Sequence, residues 1–365
     1  MLKGVNLGNW LALEKWMSPE LYEGTSAEDE TDLCEQLEPS VRQAVFRVHR
    51  DTWIESRDFA YLASRGIELV RIPIPWFIFG DHDPYVGGIG YVDRAFDWAE
   101  RYGLKILLDL HTVPESQNGF DNGGLRGVCR FHKDPAYAAI ALDVLERLAI
   151  RYRGRPALWG IEVLNEPVSP EHWALIDVPK RFPPTDPARA AGSEGVPTAF
   201  LRQFYADAYA RIRGQDDDVT VVFHDGFRMS EWPGYLDAAP FENVVVDTHL
   251  YLVERALAHG NVPFEELLAY VDAEFGGTIA AYSPHFPILV GEWAIDPYSA
   301  DVYALPERER IEAYRRLAAA HLRAFEGAVG WCYWSARLHT VVSRYEAWDL
   351  LKAIEGGLMP PSLAG

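Results

Sequence analysis

The feature that most constrains the fold of this chain is a repeated alternation of short apolar runs with segments of helical periodicity. Eight runs occur, separated by polar loops and helical segments. Apolar stretches of this length, not alternating with polar residues, are typical of parallel strands buried on both faces. The predicted strands are Gly4–Leu11, Ile67–Trp76, Leu104–Thr112, Leu158–Pro167, Val219–Phe227, Asn243–Leu252, Phe286–Ala294 and Ala328–Ala336.

Helical segments lie between these strands. Gly66, Gly103 and Gly154 fall where three of them should end, because glycine adopts the left-handed backbone that closes many helices. The predicted helices are Asp51–Arg65, Tyr91–Tyr102, Pro135–Tyr152, Thr198–Arg213, Phe264–Tyr282, Glu307–Phe325 and Trp348–Ile354, with a less clear short helix at Glu231–Ala239.

Eight strand–helix units favour a closed (β/α)8 barrel, a TIM barrel of the α/β class, over an open doubly wound sheet. A minimal barrel takes roughly 250 residues, whereas this chain has 365. Three long loops, after strands one, three and four, hold the excess: Glu14–Arg50, Val113–Asp134 and Val168–Pro197. Each follows a strand, so we expect all three on the C-terminal face of one domain spanning residues 1–365.

Composition and charge exclude several classes of partner. The formal net charge of −20 argues against a general nucleic-acid binder and against docking on anionic membranes. The sequence contains no run of roughly 18 apolar residues, so it predicts no transmembrane helix. The N-terminal residues lack the apolar core of a signal peptide, and Cys34, Cys129 and Cys332 form no C-x-x-C pair, so we expect a cytoplasmic protein with reduced thiols. The oligomeric state stays open.

Two glutamates lie at the ends of predicted strands roughly opposite each other in the barrel. Strand four ends in Asn165-Glu166-Pro167 and strand seven in Gly291-Glu292-Trp293. Two carboxyl groups facing one cavity are the minimum equipment for cleaving a glycosidic bond, since one attacks the anomeric carbon and the other protonates the leaving oxygen. Either glutamate alone would also fit a solvated carboxylate or a salt-bridge partner, but the pair favours catalysis.

Other strand ends carry polar or aromatic residues that suit the same cavity. Arg71 is placed to keep a neighbouring carboxylate ionised, and Trp334 to form the floor of a sugar site. His249 and Tyr251 are two residues apart, so they face the same side, and His111 ends strand three. Asp109 and Asp247 are expected to hold barrel loops together.

The loop after strand three contains Phe120, Asp121 and Asn122 among tight turns, and these side chains suit a sugar subsite. The chain has no glycine-rich phosphate loop, no H-E-x-x-H and no G-x-S-x-G. Neither paired histidines nor an acidic run suggests a metal site. We therefore expect no cofactor and no metal.

The sequence at this point resembles glycoside hydrolase family 5, in its exo-β-1,3-glucanase-like branch, over nearly its whole length. The motifs that carry the resemblance are Gly8-Asn9-Trp10-Leu11 with Leu13-Glu14 and Trp16, Asp109-Leu110-His111, the run from Ser116 to Asn122, Leu164-Asn165-Glu166-Pro167, His249 with Tyr251, and Gly291-Glu292-Trp293.

The resemblance implies Glu166 as acid/base and Glu292 as nucleophile of a retaining exo-β-glycosidase. It places Asn165 against the sugar 2-hydroxyl and Glu14 against hydroxyls at the non-reducing end of the cleft. The remaining substrate-binding residues that it implies are Arg71, His111, His249, Tyr251 and Trp334.

Specificity is less constrained. Glu115 stands where the secreted glucanases have a small residue, and Glu254 replaces an aromatic residue of the leaving-group subsite. The stretch Asn6–Met17 resembles bacterial intracellular β-mannosidases, so β-mannosidase activity on short oligosaccharides is the leading expectation. The alternatives are an exo-β-glucosidase or exo-β-1,3-glucanase, an endo-acting glycanase, and a sugar-binding barrel without catalysis, although the latter would lack one glutamate.

Overall fold

All eight predicted strands are present, and they pair in parallel in chain order, with the last strand closing onto the first. A computed structural model describes residues 1–238, 241–339 and 347–359. Each strand is shorter than its apolar run, because the C-terminal part of the run leaves the sheet at the barrel mouth. The strands are β1 (Leu2–Asn6), β2 (Leu69–Ile74), β3 (Lys105–Leu110), β4 (Leu158–Glu162), β5 (Thr220–His224), β6 (Val244–His249), β7 (Ile288–Trp293) and β8 (Gly330–Tyr333).

The helices surround the barrel, and a π-helical turn at Val271–Phe275 joins two of them, Phe264–Tyr270 and Gly276–Tyr282. In chain order they are α1 (Glu30–Gln36), α2 (Pro39–Trp53), α3 (Ser56–Ser64), α4 (Ile89–Tyr102), α5 (Pro135–Tyr152), α6 (Pro170–Leu175), α7 (Val178–Arg181), α8 (Thr198–Arg213), α9 (Pro233–Ala238), α10 (Val253–His259), α11 (Phe264–Tyr270), α12 (Gly276–Tyr282), α13 (Ala300–Tyr303), α14 (Glu307–Ala324) and α15 (Leu350–Glu355).

Local signals fix several helix ends. Pro135 occupies the first turn of α5, and the Asp134 side chain accepts a hydrogen bond from the Ala136 amide, so the predicted start of this helix is confirmed. Gly103 ends α4 with φ of 76°, a backbone conformation that glycine adopts without strain. Gly66 and Gly154 also have positive φ, as predicted.

The prediction of one helix over Asp51–Arg65 is wrong. Helix α2 ends at Trp53. Helix α3 then begins with a capping box, in which the side chains of Glu55 and Asp58 each accept a hydrogen bond from the other's backbone amide. The first insertion is also not a plain loop, since it contains α1 and most of α2. Of the predicted helix Glu231–Ala239, the structure has Pro233–Ala238, and Ala239 lies outside the described residues.

The barrel interior changes from apolar to charged along the strands. A buried cluster from the strands, which includes Leu69, Leu107 and Val245, fills its lower part. Since side chains repeat every second residue, the next inward positions on the same strands are Arg71, Asp109 and Asp247, all fully buried. The apolar layer therefore supports a polar layer directly beneath the mouth, where barrel enzymes build their sites.

Among the described residues, no helix combines the length and apolarity that crossing a bilayer requires.

Candidate active site

Arg71 on β2 is the centre of the polar layer. Its Nε and Nη2 donate to both carboxylate oxygens of Glu162, at 2.7 and 2.9 Å. Its Nη1 donates to Asn6 Oδ1 and to Glu292 Oε1, both at 2.9 Å, and Nη2 also donates to Asn165 Oδ1 at 2.8 Å. One guanidinium thus ties together residues from β1, β4 and β7 and the loop after β4.

The charge of Arg71 is strongly supported by its surroundings. Burial lowers the pKa of this guanidinium, but Asp109, Glu162 and Glu292 raise it well above its ordinary value. Asp109 Oδ2 lies 3.1 Å from Nη2, and Asp247 Oδ2 lies 3.9 Å from Nε. In the other direction, burial raises the pKa of Glu162, while Arg71 opposes the increase.

Glu166 and Glu292, which the sequence places on opposite strand ends, both lie close to His249. His249 Nδ1 lies 2.7 Å from Glu166 Oε1 and 3.5 Å from Glu292 Oε2. Those two oxygens are therefore separated by no more than about 6 Å, the sum of the two distances. This upper bound is compatible with the ~5–5.5 Å of retaining glycosidases and lies below the ~6.5–9.5 Å of inverting ones.

Each glutamate has its own set of donors. Glu292 accepts from Arg71 at Oε1 and from the Tyr251 hydroxyl at Oε2, both at 2.9 Å. Glu166 accepts from Asn122 Nδ2 at Oε2, at 2.6 Å, besides its contact with His249. Both glutamates are almost completely buried.

The three groups form one coupled titrating system. Burial lowers the pKa of His249, but Glu292, Asp247 and Glu166 raise it well above its ordinary value. Burial raises the pKa of Glu166, yet the hydrogen bonds from His249 and Asn122 bring it below its usual range. Burial raises the pKa of Glu292, and the charge of Glu166 adds to this effect, while His249 and Arg71 act against it. The shifts of Glu166 and His249 have opposite directions because each group stabilises the charged form of the other.

Gly291 precedes Glu292 for a steric reason. Its amide donates to Asp247 Oδ1 at 2.5 Å. A Cβ at this position would collide with the Asp247 carboxylate. Glycine therefore lets β7 approach Asp247 and carries Glu292 into the mouth.

The opposite part of the cavity carries three buried polar atoms without a hydrogen-bond partner among the described residues: Glu14 Oε1, His111 Nε2 and Asn165 Nδ2. Glu14 Oε2 accepts from Trp16 Nε1 at 2.7 Å. Burial raises the pKa of Glu14 well above its ordinary value, so this carboxyl is able to donate as well as accept. Buried polar atoms normally have partners, and sugar hydroxyls are suitable ones.

Trp334 lies beside His111. Its ring stacks on His111 with centroids 5.6 Å apart, and a Cβ at Gly8 would approach the Trp334 ring to 2.9 Å. The predicted floor residue is therefore present next to the predicted polar groups.

The loop after β3 contributes unequally. Asn122 contacts Glu166 directly and accepts from Asn118 Nδ2 at 2.9 Å. Phe120 lies in a cavity beside Glu166. Asp121 Oδ1 lies 3.4 Å from Arg126 Nε, and its contact with substrate stays a prediction. The side chain of Glu254 lies outside what the structure describes.

Two expectations need correction or addition. Asp109 and Asp247 do not hold loops: Asp109 contacts Arg71 and accepts from His111 Nδ1 at 2.5 Å, while Asp247 accepts from the β7 backbone. Glu162 and Asn6 were not predicted as site residues. The available signal for Glu162 was a carboxylate inside an apolar strand, which demands a buried partner.

His224 at the end of β5 was also missed. Its Nδ1 accepts from the Gly226 amide at 2.8 Å, and its ring meets His249 edge-to-face at 4.4 Å. Two groups of ligand atoms lie close enough to hold a metal, Glu166–His224–His249 and Glu162–Asp247–His249. The group Glu162–Asp247–His249 lies beside the Arg71 cation, which opposes metal binding. The group Glu166–His224–His249 contains the predicted acid/base, Glu166, and the histidine in contact with it.

Comparisons with known proteins agree with this geometry. A family model described as Cellulase (glycosyl hydrolase family 5) matches residues 37–339. A glucan 1,3-beta-glucosidase of Schwanniomyces occidentalis is 31% identical over 403 residues, covering 98% of this chain and 87% of the relative. Glucan 1,3-beta-glucosidase 1 of Schizosaccharomyces pombe is 29% identical, covering 98% and 88%.

The crystal structure of rutinosidase from Aspergillus niger superposes with a TM-score of 0.77 over 98% of this chain and 97% of that one, at 24% identity. At this identity the likeness supports the fold alone. The family model and the relatives, however, cover most of the sequence and include the strand ends that carry both glutamates. The chain therefore belongs to glycoside hydrolase family 5 and is a glycoside hydrolase.

Proposed function

We propose that this protein is a retaining exo-β-glucosidase that releases terminal β-linked glucose from short oligosaccharides or glycosides. The observation that carries the proposal is the convergence of Glu166 and Glu292 on His249, with carboxylate oxygens no more than about 6 Å apart. An inverting enzyme needs room for a water molecule between its carboxylates. This spacing instead suits direct attack by one of them.

Glu292 is the proposed nucleophile. Both of its oxygens accept hydrogen bonds, from Arg71 and Tyr251, and such bonds favour the ionised form. Burial raises the pKa of Glu292, and the charges of His249 and Arg71 act against that increase. Attack on the anomeric carbon gives a glycosyl-enzyme ester, and the bond to the leaving oxygen breaks.

Glu166 is the proposed acid/base. Transfer of a proton along the 2.7 Å contact from His249 Nδ1 to Glu166 Oε1 leaves a neutral imidazole and a protonated glutamate, which is the form a general acid requires. After the first step, ionised Glu166 takes a proton from water, and that water attacks the anomeric carbon, so that the bond to Glu292 breaks and Glu292 leaves as a carboxylate. The product keeps the β configuration.

Sugar identity rests on the relatives rather than on the site. The curated relatives are named glucan 1,3-beta-glucosidases, which supports the glucoside alternative over the β-mannosidase expectation. Asn165 Nδ2 is free for the 2-hydroxyl, where glucose and mannose differ. Exo action is supported by Glu14, which the family resemblance places at the non-reducing end of the cleft. Its buried Oε1 has no hydrogen-bond partner among the described residues and could receive a terminal sugar hydroxyl. The cytoplasmic location stays a prediction.

The test is a panel of 4-nitrophenyl β-glucoside, β-mannoside and β-galactoside. We expect the highest kcat/KM on the glucoside. Proton NMR of the first product should show the β-anomer. A higher kcat/KM on the mannoside would contradict the proposed sugar, and an initial α-anomer would contradict retention. A reduced-end-labelled laminari-oligosaccharide should shorten one unit at a time.

A further inference from the structure

A cavity beside Glu166 has walls made mainly of carbon. We call it the leaving-group pocket. Its volume is about 210 Å³, smaller than the ~300–1,000 Å³ of complete small-molecule sites, so it suits one part of a substrate. Its apolar lining residues are Phe120, Ile176, Phe182, Phe227, Val253 and Leu257.

The position of this pocket relative to the two glutamates identifies which part of a substrate it receives. Glu166 lines it, together with His249 and Tyr251, whereas Glu292 is not among its described lining residues. A general acid must reach the leaving oxygen. The group attached to that oxygen therefore extends into this pocket, and the cleaved sugar lies toward Glu14, His111 and Trp334.

Outside the catalytic residues, the walls offer few hydrogen-bonding groups to a second sugar. Three polar residues of the lining, Glu166, His249 and Tyr251, belong to the catalytic site. His172 also lines the pocket, and its ring stacks on Phe227 with centroids 4.3 Å apart. Arg181 is the single lysine or arginine among the described lining residues. A second pyranose would bring several hydroxyls against carbon, and buried hydroxyls without partners lower affinity.

The same walls suit a flat ring. Phe120 lies between Phe182 and Phe227, with ring centroids 5.2 and 6.4 Å away. The Arg181 guanidinium lies 5.9 Å from the Phe182 ring. Aromatic groups pack favourably against faces and edges of this kind, and a planar guanidinium also stacks on them.

We propose that the leaving-group pocket binds a flat, apolar aglycone of the aryl or arylalkyl alcohol class in preference to a second sugar. The proposal rests on the proposed function, since it assigns the group that the glucosidase releases. It also gives a role to the insertion 168–197, which supplies Ile176, Arg181 and Phe182 and so forms one wall.

The experiment compares two glucosides whose leaving alcohols have similar acidity with a disaccharide, whose sugar hydroxyl is more acidic and would leave more easily if recognition were equal. The substrates are 2-phenylethyl β-glucoside, 2-cyclohexylethyl β-glucoside and laminaribiose. β-Glucosyl fluoride, whose leaving group does not fill the pocket, normalises each rate. For the wild type we expect kcat/KM on the phenylethyl glucoside to exceed that on laminaribiose by about tenfold or more.

Two wall variants and one control locate the effect. Phe182→Leu removes a ring but keeps an apolar wall, and it should abolish the preference for phenyl over cyclohexyl. Ile176→Ser should lower the normalised kcat/KM on both apolar glucosides by about fivefold to tenfold. Leu175→Ser is the control, because Leu175 precedes Ile176 in the chain, is 77% exposed and does not line the pocket.

A laminaribiose rate equal to or above the phenylethyl rate, or equal losses on all three substrates in Phe182→Leu, would overturn the proposal. Saturation-transfer NMR with 2-naphthol tests the pocket independently of the sugar. If no β-glucoside is hydrolysed, the proposed function fails, and naphthol binding that weakens in Ile176→Ser but not in Leu175→Ser still supports the pocket. Absence of naphthol binding would refute it.

Discussion

The two sides of the catalytic pair are built in different ways. On the sugar side, strand ends and the residues directly after them place Arg71, His111 and Glu292 in a buried network of hydrogen bonds and ion pairs. On the leaving-group side, an insertion, α10 and loops supply carbon surfaces, half-buried or exposed.

This difference implies that the sugar side carries the catalytic chemistry, while the leaving-group side sets the selectivity for the group that is released. The sugar side depends on a barrel whose eight strands brace one another, so a change there disturbs charge balance and packing together. The leaving-group side hangs on segments outside the sheet, so side chains can change there at little cost to the barrel. Four predictions test this contrast.

The largest effect is expected for Glu292→Gln. The amide keeps the shape but cannot form the ester, so kcat on 4-nitrophenyl β-glucoside should fall by about 10⁴-fold or more. Circular dichroism and thermal unfolding should stay close to wild type. A residual rate within tenfold of wild type would remove Glu292 from the role of nucleophile.

Glu166→Ala comes next, and its effect should depend on the leaving group. Phenylethyl glucoside, whose oxygen needs a proton to depart, should lose about 10³-fold in kcat/KM, whereas 2,4-dinitrophenyl glucoside should lose about tenfold or less. Matched steady-state kinetics on the two substrates give the comparison. Similar losses on both would contradict the acid role.

Arg71→Met and Arg181→Met contrast the two sides directly through stability. Removing Arg71 leaves several buried carboxylates without their cation, and we expect the free energy of unfolding to fall by about 3 kcal/mol. Arg181 is only partly buried at the pocket, so its loss should cost less than about 0.5 kcal/mol. Urea denaturation measures both, and comparable losses would erase the contrast.

The smallest effect concerns pH. Glu292 must be ionised to attack, and its pKa is raised by burial and by Glu166, so activity should fall with decreasing pH already above the usual range of glutamate. His249 lowers the pKa of Glu292. In His249→Asn the acid limb of kcat/KM should therefore move to higher pH.

The exposed His285 provides the matched substitution for this pH experiment. His285→Asn should leave the profile in place, because this residue lies on the barrel exterior at an ion-pair distance of 3.6 Å from Asp237. An acid limb that moves to lower pH in His249→Asn would contradict the coupling described here.

The sequence predicted the barrel well because its signals are local and repeated. Apolar runs identify strands buried on both faces, and proline and aspartate at the start of α5 identify a helix boundary. The failure at Asp51–Arg65 has a physical cause: apolar spacing continues through Trp53 and Ile54, while the break is made by backbone capping at Glu55.

The site was predictable where strand ends supply it. Glu166, Glu292, His249 and Tyr251 follow from parallel strands that end at one mouth. Phe182 was not predictable, because its insertion has no periodicity that fixes where a side chain lies. Glu162 was missed although a carboxylate within a buried strand implies a cation nearby, and Arg71 is that cation.

Arg71 holds groups from many strands with one side chain, and this limits how the enzyme can be altered. Any substitution among its partners redistributes charge across the whole mouth, so libraries that randomise those positions should consist mostly of inactive clones. Diversity placed in the insertion 168–197 and in α10 leaves that arrangement intact. Directed evolution toward new glycosides should therefore begin in those segments.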